Sequence, residues 1–156
     1  MFTAREILDI ALKIEQNGEA IYRKAVKALS QPHISERLSW MADEEARHME
    51  WFKKLQDDEQ HRDKGLAVDE MSTDMLRSLV GEQSFTLKDV NFSDVKNLSD
   101  LIDIFIEFER DGILFYEMLR AFVKDLQVLE SLDQIIAEEY RHIETLEALK
   151  PSNSQV

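Results

Sequence analysis

A glutamate followed three residues later by a histidine can present both side chains on one side of an α-helix, one turn apart, where both can reach a single metal ion. The chain contains that pair as Glu45-Ala46-Arg47-His48 and again, 94 residues later, as Glu139-Tyr140-Arg141-His142. With 32 acidic residues among 156, one such pair carries little information. Its recurrence carries more, because Glu15, Gly18 and Tyr22 return at the same offset as Glu109, Gly112 and Tyr116. Asp9 returns as Asp103, Glu44 as Glu138 and Arg47 as Arg141. The sequence therefore reads as two diverged copies of one helical hairpin, joined by a long connector.

The elements that must position these residues are helices. Hydrophobic residues make up 44% and charged residues 33%, with four Gly and two Pro, a balance that disfavours a loop-rich or β-sandwich fold. Thr3-Ala4-Arg5-Glu6 reads as a capping box opening the first helix. Its inward seam is Ala4, Leu8, Ala11, Glu15, Gly18, Tyr22, Ala25 and Leu29. Ser30-Gln31-Pro32 ends it, and Pro32 suits the first turn of the next helix. The second seam is Ile34, Leu38, Met41, Glu45, His48, Phe52 and Leu55, running out into the polar stretch from Gln56 to Lys64. Asn97 can cap a third helix with the seam Leu98, Ile102, Phe105, Glu109, Gly112, Tyr116, Leu119 and Val123. Lys124-Asp125 marks a second short turn, and the fourth seam is Val128, Leu132, Ile135, Glu139, His142, Leu146 and Leu149.

The expected architecture is all-α: a ferritin-like four-helix bundle of two antiparallel hairpins, at about 3–60 and about 97–149, with a crossover at about 61–96. The bundle forms one domain over 1–150, followed by a disordered tail at 151–156. Within the crossover, Ser72 to Val80 reads as a short helix and Phe85 to Phe92 as extended chain.

All four seams are apolar except for an acid at mid-length, and two add a histidine. Facing one another, they would bring Glu15, Glu45, His48, Glu109, Glu139 and His142 to one level inside the bundle. Burying four unpaired carboxylates costs more than the whole stability of a typical domain. Two divalent cations would balance four carboxylates and leave both imidazoles neutral, so these six residues are the candidate metal ligands. Tyr22 and Tyr116 lie on the same seams two turns from an acid, and a buried phenol needs a partner; each is a candidate to hydrogen-bond a ligating carboxylate across the bundle. Gly18 and Gly112, one turn from Glu15 and Glu109, serve either close helix packing or room for a small exogenous ligand. Glu44 with Arg47, and Glu138 with Arg141, can pair at i, i+3 on the outer face. Asp9 and Asp103 fall off the seam, exposed or else turned toward a ligating histidine. His33 and His61 read as surface residues.

At these positions the chain resembles the rubrerythrin-like branch of the ferritin-like superfamily, from Thr3 to Leu149. The motif carrying the resemblance is Glu15-x2-Gly18-x3-Tyr22 with Glu45-x2-His48, repeated as Glu109-x2-Gly112-x3-Tyr116 with Glu139-x2-His142. The resemblance implies that Glu45 and Glu139 bridge two irons, that Glu15 and Glu109 are terminal ligands, and that His48 and His142 each hold one iron. It also implies reduction of hydrogen peroxide with electrons from a rubredoxin-like carrier. The match departs at Gly112, where rubrerythrins proper carry a further Glu that a redox-linked exchange of ligands would use. It departs again in the absence of cysteine, which leaves the rubredoxin-type iron site to a separate protein.

That absence of cysteine also excludes disulfides, zinc ribbons and iron–sulfur clusters, so any metal must be held by carboxylates and imidazoles. A net charge of −13 argues against nucleic-acid and anionic-membrane partners. The N-terminal residues do not form a signal peptide and no apolar run is long enough to span a bilayer, so a cytoplasmic location is expected. The expected activity is that of a di-iron oxidoreductase reducing peroxide, working as a homo-oligomer such as a dimer. The alternatives are a ferroxidase or iron-handling protein using oxygen, and a non-enzymatic bundle stabilised by its metal. Ligand type leaves manganese, or a mixed Fe/Mn pair, open beside iron.

Overall fold

A computed structural model of the chain describes residues 4–58 and 95–151. The expected capping hydroxyl of Thr3, the short helix at 72–80, the extended segment at 85–92, His61 and the tail beyond 151 lie outside the described residues. The described residues form four helices: α1 (Ala4–Ala28), α2 (Pro32–Asp57), α3 (Leu98–Ala121) and α4 (Leu126–Leu149). None of them is long and apolar enough to cross a membrane.

Local chemistry sets their ends. Pro32 occupies the first turn of α2, where its missing N–H goes unneeded. The Asn97 side chain accepts from the Asp100 backbone N–H at 2.9 Å and caps α3. Asp125, expected only as a turn residue, proves to be the cap of α4, accepting from the backbone N–H groups of Gln127 and Val128. The three-residue gap between α1 and α2 and the four-residue gap between α3 and α4 make each pair an antiparallel hairpin. Helix contacts are densest within each hairpin; between hairpins, α1 meets α3 and α2 meets α4.

The core is divided. One apolar cluster joins Leu8 and Ala11 of α1, Phe52 and Leu55 of α2, Tyr116 and Leu119 of α3, and Val128 and Leu132 of α4. The other joins Ala25, Ile34, Leu38, Ile102, Phe105 and Leu146. The first cluster takes the start of α1 and the end of α3, so α1 and α3 run in opposite directions, as do α2 and α4. Residues related by the 94-residue repeat therefore sit at opposite ends: Leu8 in one cluster, Ile102 in the other. The repeat is thus expressed as a two-fold relation about an axis across the bundle. Leu55, before the connector, and Val95, after it, likewise pack at opposite ends, so the connector links the two ends of the bundle. Between the apolar clusters lies a polar layer.

Candidate metal centre

The polar layer contains seven buried Glu and His side chains: Glu15 from α1, Glu45 and His48 from α2, Glu109 from α3, and Glu138, Glu139 and His142 from α4. The six that the seams nominate are all among them, each 3% exposed or less. They divide into two overlapping sets of converging donor atoms. Glu15, Glu45, His48 and Glu139 offer atoms within 4.8 Å of one another, and so do Glu45, Glu109, Glu139 and His142. Only Glu45 and Glu139 belong to both. The imidazoles lie nearly parallel, with ring centroids 6.3 Å apart.

Five inward atoms of these groups are unsatisfied, while His142 Nδ1 is hydrogen-bonded to Glu109 Oε1 at 3.3 Å. Glu15 Oε2, Glu45 Oε1, both carboxylate oxygens of Glu139 and His48 Nδ1 have no hydrogen-bond partner. His48 Nδ1 lies 2.9 Å from Glu139 Oε1 and 3.5 Å from Glu15 Oε2, close enough for ion pairing but not aligned as hydrogen bonds. His142 Nδ1 is 3.0 Å from Glu45, 3.2 Å from Glu139 and 3.3 Å from Glu109. Buried polar atoms without partners are rare and costly. Oxygen and imidazole-nitrogen donors converging on shared space fit a pair of divalent cations of the iron, manganese or zinc type. Gly18 helps to shape that space: a Cβ built there would stand 2.7 Å from Glu45 Oε2, so the glycine lets the carboxylate lie against α1. Gly112 differs, since a Cβ there would meet only Ile14 at an ordinary 3.6 Å.

The outer faces, by contrast, are tied down across the hairpins. The Tyr22 hydroxyl donates to Glu109 Oε1, and the Tyr116 hydroxyl donates to Glu15 Oε1. His48 Nε2 lies 2.5 Å from Glu138 Oε2, and His142 Nε2 lies 2.7 Å from Glu44 Oε2. A carboxylate only accepts, so each Nε2 is a protonated donor, and a ring that gave up its second proton to a cation would turn the Nδ1 lone pair inward. Arg47 Nη2 reaches both outer glutamates, Glu44 at 2.9 Å and Glu138 at 3.1 Å, while Arg141 comes only within 3.7 Å of Glu138. Gln134 adds a donor to Glu138 at 3.3 Å and lines, with Arg47, His48, Ser131 and Glu138, a cleft of about 160 Å³ between α2 and α4. Trp40, at the repeat-equivalent position to Gln134, instead sets its indole edge-on to the His142 ring at 5.6 Å.

These contacts revise the expectation for Glu44 and Glu138. The i, i+3 pairing with Arg47 and Arg141 is present, but the glutamates do not sit on an outer face: their side chains are 14% and 6% exposed and reach the histidines. Asp9 and Asp103 stay exposed, bound to Gln56 and Lys150 and away from any imidazole. His33 is exposed. The signal for Glu44 and Glu138 was in the sequence, since they recur at the repeat offset and adjoin the seam acids; the cross-hairpin partner that draws them inward was not.

Without a cation, protons must compensate the charge. Burial, reinforced by the charge of Glu139 and opposed by His142, pushes the Glu109 carboxyl up to about 8. Burial and the charges of Glu139, Glu15 and Glu109 raise Glu45 well above the carboxylate range. Glu139 goes the other way: burial opposes its ionisation, but the close imidazoles of His142 and His48 hold it well below the usual value. Burial likewise opposes a charged imidazole, yet Glu139 and Glu15 push His48 up to about 12, and Glu109 and Glu139 raise His142. Burial and then the adjacent carboxylates raise both phenols, so Tyr22 and Tyr116 remain hydrogen-bond donors. The metal-free layer is therefore loaded with protons that bound cations would displace.

Comparison with known proteins bears on this arrangement. A family model described as rubrerythrin matches residues 6–150. A solved structure from Thermotoga maritima, described as that of a ferritin-like diiron-carboxylate protein, aligns with a TM-score of 0.71 and 25% sequence identity. The alignment covers 96% of this chain and 95% of that one. No curated protein sequence matches significantly.

Proposed function

The chain belongs to the rubrerythrin family, and on that premise we propose that it is a di-iron oxidoreductase that reduces hydrogen peroxide. The observation that carries this reading is the sharing of Glu45 and Glu139 between two donor sets, with oxygens of both shared acids left without partners. Glu45 and Glu139 would be shared by the two ions, with Glu15 and His48 completing one donor set and Glu109 and His142 the other. Two irons held there would supply the two electrons that, with two protons, convert hydrogen peroxide to two waters. Everything else falls to the protein.

Tyr22 and Tyr116 fix the carboxylates of Glu109 and Glu15 through the oxygen each phenol holds, leaving the second oxygen to the centre. Glu138 and Glu44 keep the protons of His48 and His142 on Nε2, so that Nδ1 is the free donor. Phe52, Phe105 and Phe115, all buried, pack the apolar ends of the bundle and keep bulk water from the layer on those sides. A separate electron-carrier protein of the rubredoxin type restores the ferrous state, and the protein works in the cytoplasm as a homo-oligomer.

A ferroxidase reading shares the same ligands and is favoured by one observation, the net charge of −13, which attracts cations. One stopped-flow experiment separates the two. Anaerobic protein loaded with two Fe(II) per chain is mixed with peroxide or with oxygen, and ferric absorbance is followed. Faster reaction with peroxide, with both irons retained, is the expected result. Faster reaction with oxygen followed by release of iron would make it a ferroxidase. No ferric absorbance with either would leave a metal-stabilised bundle without redox activity.

A further inference from the structure

The two outer glutamates do not act on the histidines independently, because one cation joins them. Glu44 Oε2 lies 2.7 Å from His142 Nε2, and its other oxygen accepts from Arg47 Nη2 at 2.9 Å. The same Nη2 donates at 3.1 Å to Glu138 Oε2, the atom that lies 2.5 Å from His48 Nε2. A continuous chain of charge-assisted contacts therefore runs His142–Glu44–Arg47–Glu138–His48, crossing from α4 to α2 and back and then returning to α2. The repeat supplies a second arginine at the equivalent place, but the two-fold relation fails there: Arg141 stands 3.7 Å from Glu138, beyond hydrogen-bond range. The asymmetry is geometric and involves side chains that are identical in both copies.

We propose that Arg47 is a positioning residue for both halves of the centre, acting through Glu44 and Glu138, and that Arg141 is not. The proposal rests on the reading of His48 and His142 as metal ligands. An exposed arginine paired with one exposed carboxylate contributes little. Here the guanidinium is half-exposed, but both acceptors are largely buried and each also accepts from an imidazole that faces the centre. Without Arg47, Glu44 and Glu138 keep their histidine contacts but lose the common group that fixes where each carboxylate stands, and both rings gain freedom to turn. Loss of such an outer partner typically costs about 10- to 100-fold in metal affinity.

The test compares Arg47→Gln with Arg141→Gln. Both residues are on the surface and both substitutions keep a polar stem, and thermal melting of the metal-free variants checks that each folds. Cobalt(II) titrations followed by visible absorbance first establish that the unaltered protein binds two ions; if it does not, the ligand assignment itself fails and Arg47 is not at issue. Given two sites, Arg47→Gln is expected to weaken both by about tenfold or more, and Arg141→Gln to leave both within twofold. A second readout is the protonation pattern of 15N-labelled histidines in the zinc-loaded protein. Both rings should carry the proton on Nε2 alone in the unaltered protein and in Arg141→Gln, and lose that uniformity in Arg47→Gln. Unchanged affinity in Arg47→Gln, weakening of one site only, or equal damage from Arg141→Gln would each overturn the proposal.

Discussion

The hydroxyl of Tyr22 in α1 donates to Glu109 in α3, a residue 87 positions away in the other hairpin, and the acid thereby has one oxygen fixed before any cation arrives. Tyr116 does the same for Glu15 in the reverse direction. Replacing Tyr22 with Phe removes the donor and leaves a fully buried carboxylate oxygen short of a partner. Metal-free Tyr22→Phe should lose about 1–3 kcal/mol by chemical denaturation. Tyr116→Phe should lose a similar amount, since its surroundings repeat. A loss in one variant only would show that the two-fold relation does not extend to energetics.

The two glycines should respond oppositely to alanine. At Gly18 the new methyl would stand 2.7 Å from Glu45 Oε2, so the carboxylate must move, and metal affinity should fall at both halves because Glu45 serves both. At Gly112 the methyl has ordinary room beside Ile14, and the helix should gain up to about 1 kcal/mol from the better helix former. Melting temperatures together with metal titrations distinguish these outcomes. A Gly18→Ala variant that binds metal normally would refute the packing argument.

Metal-free protein should become less stable as pH rises from 5 to 8.5. Glu109 titrates near 8 when folded, and Glu45 is also raised, so both remain protonated where the unfolded chain has already ionised. The histidines act in the same direction: His48 holds its proton up to about 12, whereas an unfolded histidine releases it near its ordinary value. Through this window the folded state binds more protons than the unfolded state, so stability present at low pH is lost as pH increases. Glu139 and Glu44 are shifted the opposite way, and their contributions disappear only on acidification below the ordinary carboxylate range. Melting in a chelator at three pH values tests the sign; a melting temperature that climbs from pH 5 to 8.5 would contradict it.

Removing both shared acids should abolish the metal pair without abolishing the bundle. In Glu45→Ala/Glu139→Ala, buried negative charge and cation binding fall together. Circular dichroism should remain helical while bound metal drops below two ions per chain. Two ions still bound in that variant would overturn the assignment of Glu45 and Glu139.

The helices and the six inward residues were legible because their signal is periodic. A seam interrupted by Glu at mid-length, then repeated at a fixed offset, specifies which face turns inward without any knowledge of the partner. Glu44 and Glu138 escaped that logic. They stand one residue from the seam, where helical geometry allows either a solvent-facing pair with arginine or an inward reach, and an imidazole contributed by the other hairpin decides between them. The same limit applies to Gly18 and Gly112, identical in motif and different in surroundings because Glu45 lies against one and Ile14 beside the other. Arg47 and Arg141 make a third case: the repeat predicts equivalence, and side-chain packing breaks it.

Each hairpin supplies two of the four inner glutamates and one histidine, enough charge to match a single divalent cation. Yet neither donor set closes within one hairpin: the set at His48 needs Glu139 from α4, and the set at His142 needs Glu45 from α2. Cations bound here are therefore cross-links between two pieces of polypeptide, each held by a carboxylate borrowed from the opposite piece. A first ion would brace hairpins that the two apolar clusters already pack together and would fix the shared acids Glu45 and Glu139. The second meets a socket already assembled, so occupancy should rise cooperatively.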